Sequence, residues 1–299
     1  SKLDFHSKQF FDAVCMLAFA DSPEHISLGE FARTIIRANP FKGGTSEFAY
    51  PDMGGYDRIS EVMANYVEEQ DSKVNLGHSI KKVIVQNKKV TGIELSDGKT
   101  VETDCVIISY PAYHAINQLF EPGIFDDDFI KKTNRLNKTT SVVEVHFALS
   151  KALDDRQVVF PVGDNYVSKG IFFISNITPS VSPEGEHLII VGTPVKPEET
   201  EDPQRIKDIV SKMKQELSEI YPDFDEALLW DRPMAWKLVE AVVKEPGLVW
   251  KHKMPHSVPH VDGLFFVGDS TISYGIGTDS AAHSAVLAHP LIKKHLKSL

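Results

Sequence analysis

The chain has 299 residues and a mass of 33.4 kDa, with 42% hydrophobic and 25% charged residues, the balance of a globular protein rather than a disordered or fibrous one. Lys and Arg number 32 against 42 Asp and Glu, a net charge of −10; that sign opposes attachment to phosphate backbones and anionic lipid, so no nucleic-acid partner is expected. Cys15 and Cys105 stand far apart without CxxC spacing, which excludes a cysteine zinc site or a disulfide scaffold and suggests a reducing, cytoplasmic setting. No stretch approaches the ~18–20 apolar residues of a membrane span, and membrane contact is not indicated. The opening SKLDFHSKQFF is no signal peptide, and because it lacks Met and starts at once on amphipathic helix, the chain is expected to begin inside a longer protein.

Residues 5–20 carry a helical apolar stripe at 10, 11, 14, 17 and 18. Ser27 and Glu30 form a capping box for a second helix through Ile35 and Ile36, ended by Asn39-Pro40 and Gly43-Gly44. The turn Tyr50–Gly55 feeds a third helix with Ile59, Met63, Tyr66 and Val67 on one face. Val74–Leu76 reads as a short strand, Ile80–Gln86 and Val90–Leu95 as a hairpin turning at Asn87–Lys89, and Asp97-Gly98 as the next turn. The unbroken apolar run Cys105–Ile108 fits a buried parallel strand.

From about 113 to 260 the pattern predicts a helix at 126–135 and a strand over Thr139–Ser150. Further strands are expected at 157–161, 170–177, 187–193, 228–231 and 236–243. Ile206 to Ile220 stripe a long helix stopped by Tyr221-Pro222. The last segment reads as a buried strand (LFFVGD), a Gly-containing loop (STISYGIGTD) and a small-residue helix that Pro290 should kink or split.

That segment carries the best candidate chemistry. The strand end places Asp269 at the carboxyl edge of a sheet, in reach of ribose or ribityl hydroxyls. Backbone N–H groups around Gly275–Asp279, at a helix start, suit an anion or the electron-rich edge of a flavin. A strand–loop–helix corner with glycines for tight packing explains the same residues. His252, His256 and His260 recur every fourth residue, but Pro255 and Pro259 exclude the helix a metal face needs, so no metal site is expected. Asp126–Asp128 reads as an acidic helix start rather than a cation site. Trp230, Trp236 and Trp250 fit either packing or an apolar pocket.

Taken in order, these motifs resemble the flavin-containing amine oxidase and phytoene-desaturase-like family of FAD oxidoreductases. The resemblance rests on Pro51, Gly54, Gly55 and Ile59, then Val74 and Leu76, Ile80, Val83 and Ile84, and Val90–Ile93. It continues through Asp97-Gly98, Asp104–Ser109, Gly263–Asp269 and Gly275–Ala282. It is strong over 46–115 and 261–299 and weaker elsewhere. It implies an α/β fold: an incomplete Rossmann-like FAD-binding domain from 46–112 and 261–299, and an α+β substrate domain from 1–45 and 113–260 with a mixed sheet and helices.

The resemblance also implies roles. Backbone at Val83 lies against the adenine, and Ser109 and Pro111 lie near the adenosine half. Gly268 and Asp269 meet the FAD sugar or ribityl chain, and Gly275, Ile276, Gly277 and Thr278 approach the flavin pyrimidine. Tyr274 is a weak candidate near the reactive face; no other catalytic residue is indicated. The family's opening G-x-G-x-x-G unit, which holds the FAD pyrophosphate, occurs nowhere in this sequence. The expectation is therefore the C-terminal two thirds of an FAD oxidoreductase taking hydride from an apolar or amine-bearing substrate. The desaturase side is favoured, because Gly268-Asp269 stands where amine oxidases more often carry Gly-Glu. FAD binding by this chain alone should be weak or absent, and the missing unit is a possible partner. The alternative is a non-catalytic module that binds a hydrophobic ligand without FAD.

Overall fold

A computed structural model describes residues 4–38, 51, 55–163 and 165–299. The breaks at Asn39-Pro40 and Gly43-Gly44 and the motif residue Gly54 lie outside the described residues. In chain order, α1 (Phe5–Phe19), α2 (Leu28–Ala38) and α3 (Asp57–Glu69) precede strands β1 (Ile80–Gln86), β2 (Lys89–Leu95), β3 (Thr100–Glu102) and β4 (Val106–Ile108). Helices α4 (Ala112–Gln118) and α5 (Asp127–Asn134) lead into β5 (Ser141–Leu149), β6 (Val158–Val159) and β7 (Gly170–Phe173). Then come α6 (Ile174–Ile177), β8 (His187–Val195), α7 (Pro203–Ile220), α8 (Phe224–Ala227), β9 (Leu228–Trp236), β10 (Leu264–Phe266) and α9 (Gly277–Leu296). No described helix is long and apolar enough to cross a membrane.

The chain forms two compact units, one of Ser1–Glu24, Ile35–Val74 and Thr140–Val239, the other of His25–Thr34, Asn75–Thr139 and Glu240–Leu299. Segments 113–139 and 240–260 thus pack with the strands and helix of the expected flavin domain. In the first unit the sheet order is β6-β7-β8-β5-β9. Every pairing in it is antiparallel, where a mixed sheet was expected. The alternation of β5 explains its two faces: Val143, Val145, Phe147 and Leu149 are fully buried with Met213 and Leu217 of α7. Val142 and Glu144 turn to the opposite side, where α1 lies.

Expectation and structure differ at several elements. Val74–Leu76 forms no strand; it has no pairing partner among the described residues, and Leu76 is 84% exposed. β7 stops at Phe173 because Asn176 turns its amide onto the carbonyls of Asp154 and Arg156, at 2.9 and 2.7 Å, and a helical turn replaces the expected extension to 177. One strand, β9, replaces the two expected near 228–231 and 236–243; residues 237–243 leave the sheet and Val242 and Val243 enter the second unit's core. α9 runs unbroken through Pro290, whose ring sits on an exposed face where water can serve the freed carbonyl. The apolar face of α3 is not buried: Met63 is 62% exposed.

In the second unit β1, β2 and β3 form an antiparallel meander, with Asn87 and Lys88 both at positive φ in the two-residue turn. β4 and β10 pair in parallel, Val106 with Leu264 and Ile108 with Phe266. The strand run is buried on one side only, since Ile107 is 49% exposed. Gly263 enters β10 at φ +78°, and a Cβ there would sit 2.2 Å from the Asp104 carbonyl oxygen, so only glycine permits this strand approach.

Candidate active site

The carboxyl ends of β4 and β10 gather most of the expected site residues. Val267 donates its N–H to Ile108 O at 2.9 Å, carrying the pair one residue beyond the strands. Gly268, at φ +106°, packs so closely on Ser109 that a Cβ would lie 3.2 Å from its carbonyl oxygen. Ser270 Oγ then accepts from Ala112 N at 3.0 Å, tying the start of α4, just after Pro111, to the loop. Ser109, Pro111, Gly268 and Asp269 therefore meet at the carboxyl ends of the two parallel strands, the edge at which open α/β sheets bind ligands. Val83 does not reach it: its side chain is buried in the core, and its N–H donates to Leu119 O at 2.8 Å.

Asp269 is buried and charge-paired. Its Oδ1 lies 3.0 Å from Lys244 Nζ, and its Oδ2 accepts from Ala241 N at 3.0 Å. Lys244 also lies 2.7 Å from Glu240. Two carboxyls thus meet around one ammonium. Burial, reinforced by the Asp269 charge and only partly offset by Lys244, pushes Glu240 up to about 7. Asp269 is held below the usual carboxylate range: burial acts against this, but Lys244 and Lys253 outweigh it.

Lys253 was not legible as a site residue, yet it organises the loop. Its ammonium donates to Asp269 O at 2.8 Å, Ser273 Oγ at 2.8 Å and Ser280 Oγ at 3.2 Å, joining the strand end, the loop and the first turn of α9. Burial, with the neighbouring Lys244 charge, lowers it to about 8. In sequence Lys244 and Lys253 look like two of many scattered lysines; the only hint is that Lys244 directly follows the apolar run Ala241–Val243.

The loop itself presents donors. The N–H groups of Gly275, Ile276, Gly277 and Thr278 make no hydrogen bond among the described residues, and no side chain caps α9. Four successive free N–H groups at the positive end of a 20-residue helix suit carbonyl oxygens or an anion. Tyr274, immediately before them, is held in an aromatic stack. Trp250 lies 3.7 Å from it with planes 8° apart, His283 5.5 Å away at 18°, and the Arg33 guanidinium 4.1 Å from its ring centre. His283 Nδ1 accepts from Tyr274 N at 2.9 Å. Trp250 adopts φ +51°, a left-handed conformation costing roughly 1–2 kcal/mol that the stack must sustain.

The other candidates lie elsewhere in the chain. Among the described residues no cluster of His, Cys, Asp and Glu could hold a metal. His256 is buried with Nδ1 3.1 Å from Phe266 O, and Asp126 caps α5 by accepting from Phe129 N at 2.7 Å. Trp230 and Trp236 are about half exposed. Burial pushes the Cys15 thiol up to about 11, leaving it an inert core group.

A parallel strand pair ending in a Gly-Asp turn, with an uncapped Gly-loop helix beside it, is the arrangement in which open α/β folds place a ligand at the strand ends. The chain belongs to the flavin containing amine oxidoreductase family, whose model matches residues 1–288. It is 27% identical over 105 residues to the 4,4'-diapophytoene desaturase (4,4'-diapolycopene-forming) of Methylomonas sp, covering 35% of this chain and 20% of that protein. It is 23% identical over 275 residues to the chloroplastic prolycopene isomerase of Daucus carota, covering 80% of this chain and 43% of that one. The fold matches an oxidoreductase from Methanosarcina mazei with a TM-score of 0.76 at 18% identity, over 96% of this chain and 65% of that chain. A putrescine oxidase variant matches with a TM-score of 0.65 at 13% identity, over 98% and 66%. The chain thus spans less than half the length of these two curated relatives.

Proposed function

We propose that this chain carries the flavin-facing loop and the substrate-binding unit of an FAD oxidoreductase that takes hydride from an apolar substrate, on the desaturase side of its family rather than the amine-oxidising side. The observation that carries this reading is the row of free N–H groups from Gly275 to Thr278, beside Asp269 and the Ser109–Pro111 strand end. Bound FAD supplies the hydride acceptor. Gly275–Thr278 would hold the flavin pyrimidine carbonyls, Asp269 a sugar or ribityl hydroxyl, and Ser109 and Pro111 the adenosine half. Lys253 fixes the loop from below, and the Trp250–Tyr274 stack shields it. Such chemistry needs orientation and water exclusion more than an acid–base pair.

The sequence holds no G-x-G-x-x-G unit to cradle the pyrophosphate. That feature favours a second reading, a binding module for a hydrophobic ligand without FAD. FAD titrated into the purified chain separates the two. Saturable flavin-fluorescence quenching with a shifted visible band, lost in Asp269→Asn, supports the oxidoreductase reading. No uptake by the chain, alone or with a separately supplied G-x-G-x-x-G unit, leaves the binding module.

A further inference from the structure

The sheet face opposite α7 carries Val142, Glu144, Phe172, Ile190 and Gly192, and α1 lies across it. Two cavities of about 200 and 120 Å³ open there, entirely within the first unit, and both are lined by Met16, Phe160 and Lys169. The shared residues make the two cavities neighbours, with Lys169 on the wall common to both. The smaller cavity is walled mostly by apolar side chains, with Gly192 on the sheet beneath it.

The charged groups on these cavities differ in one respect. Asp12 is bound by Lys8 at 2.7 Å. Glu144 accepts from Trp236 Nε1 at 2.9 Å and has His146 3.6 Å away. Glu24 stands exposed at the rim. Lys169 is half-buried where the two cavities meet, and its ammonium has no ion pair or hydrogen bond among the described residues. An ammonium partly removed from water and left without a partner favours an anion, and the apolar walls favour a chain attached to it.

We propose that the smaller cavity binds a slender apolar carboxylate, of the medium-chain fatty or aryl-alkyl acid class, with its head on Lys169 and its tail among Met16, Phe160 and Phe172. The site needs no flavin, so its failure and the failure of the FAD reading are read by different signals.

The test measures binding of decanoate, decanol and decylamine to the full chain by calorimetry. Decanoate should bind saturably and about tenfold or more tighter than decanol, the two differing chiefly in the charged head. Lys169→Met should remove that preference and leave decanol affinity unchanged. Gly192→Ala should weaken decanoate and decanol together; the added Cβ meets nothing closer than Val142 Cγ1 at 3.7 Å, an ordinary contact, and circular dichroism checks that the fold is kept. Tightest binding by decylamine, an undiminished decanoate affinity in Lys169→Met, or no saturable decanoate binding overturns the proposal.

Discussion

At the residue scale the buried charge cluster makes the sharpest predictions. Lys244 is the ammonium on which both Asp269 and Glu240 converge, so Lys244→Met strands a buried carboxylate and should cost about 3–5 kcal/mol in urea unfolding. Lys253→Met should cost clearly less. Burial already disfavours its charge, as its lowered pKa records, and the substitution removes that penalty along with three hydrogen bonds. The reverse order would show that the loop, not the ion pair, dominates the cluster.

Glu240 gives this cluster a pH signature. Its folded pKa of about 7 lies above the ordinary 4.5, so between those values the folded state keeps a proton that the unfolded state has lost. Stability from this group is therefore complete at low pH and falls as pH rises toward 7, by up to about 3 kcal/mol. Glu240→Gln should flatten that decline in unfolding curves recorded from pH 5 to 8. Lys253 acts with the opposite slope in a separate window: between about 8 and 10.5 the unfolded chain binds more protons, and stability rises with pH.

At the element scale two joints are testable. Glu216 of α7 is buried and accepts from Val167 N at 2.7 Å and Ser168 N at 2.8 Å, fixing the approach to β7. Glu216→Ala should leave the buried Ser168 N–H and the half-buried Val167 N–H unpaired and cost on the order of 2–5 kcal/mol, read as a lower urea midpoint with unchanged slope. Gly263→Ala forces a Cβ against the Asp104 carbonyl at positive φ and should abolish cooperative folding of the second unit, seen as collapsed amide dispersion for Val106–Ile108.

Elements with a local signal were readable from sequence. Asp97-Gly98 announced the turn that places Gly98 at φ +86°, and the alternation of Val143 to Leu149 announced β5 and its buried face. What sequence could not yield was set by distant partners. Val74–Leu76 has strand-like composition but no neighbour to pair with among the described residues, and α4 has too short an apolar pattern to stand out. The site divided in the same way. Gly268, Asp269 and the Gly275–Thr278 loop follow one another along the chain, so their juxtaposition was visible. The Trp250–Tyr274–Arg33 stack and the Lys244–Lys253 pair bring segments far apart in sequence together.

For the whole molecule, the parallel pairing of Val106 with Leu264 has a kinetic consequence. The entire antiparallel sheet of the first unit is encoded between these two strands, so β4 must wait for its partner until that stretch has been synthesised. Loop-closure entropy grows only slowly with length, about 0.6 kcal/mol per doubling, but so non-local a contact delays folding. In pulse-labelled hydrogen exchange during refolding, the Val145 amide, in the sheet built from nearer partners, should gain protection before the Val267 amide, which donates to Ile108 O. On the ribosome, the same order would leave the β4 edge unpaired while the sheet encoded after it is already folding, exposing that edge to aggregation during synthesis.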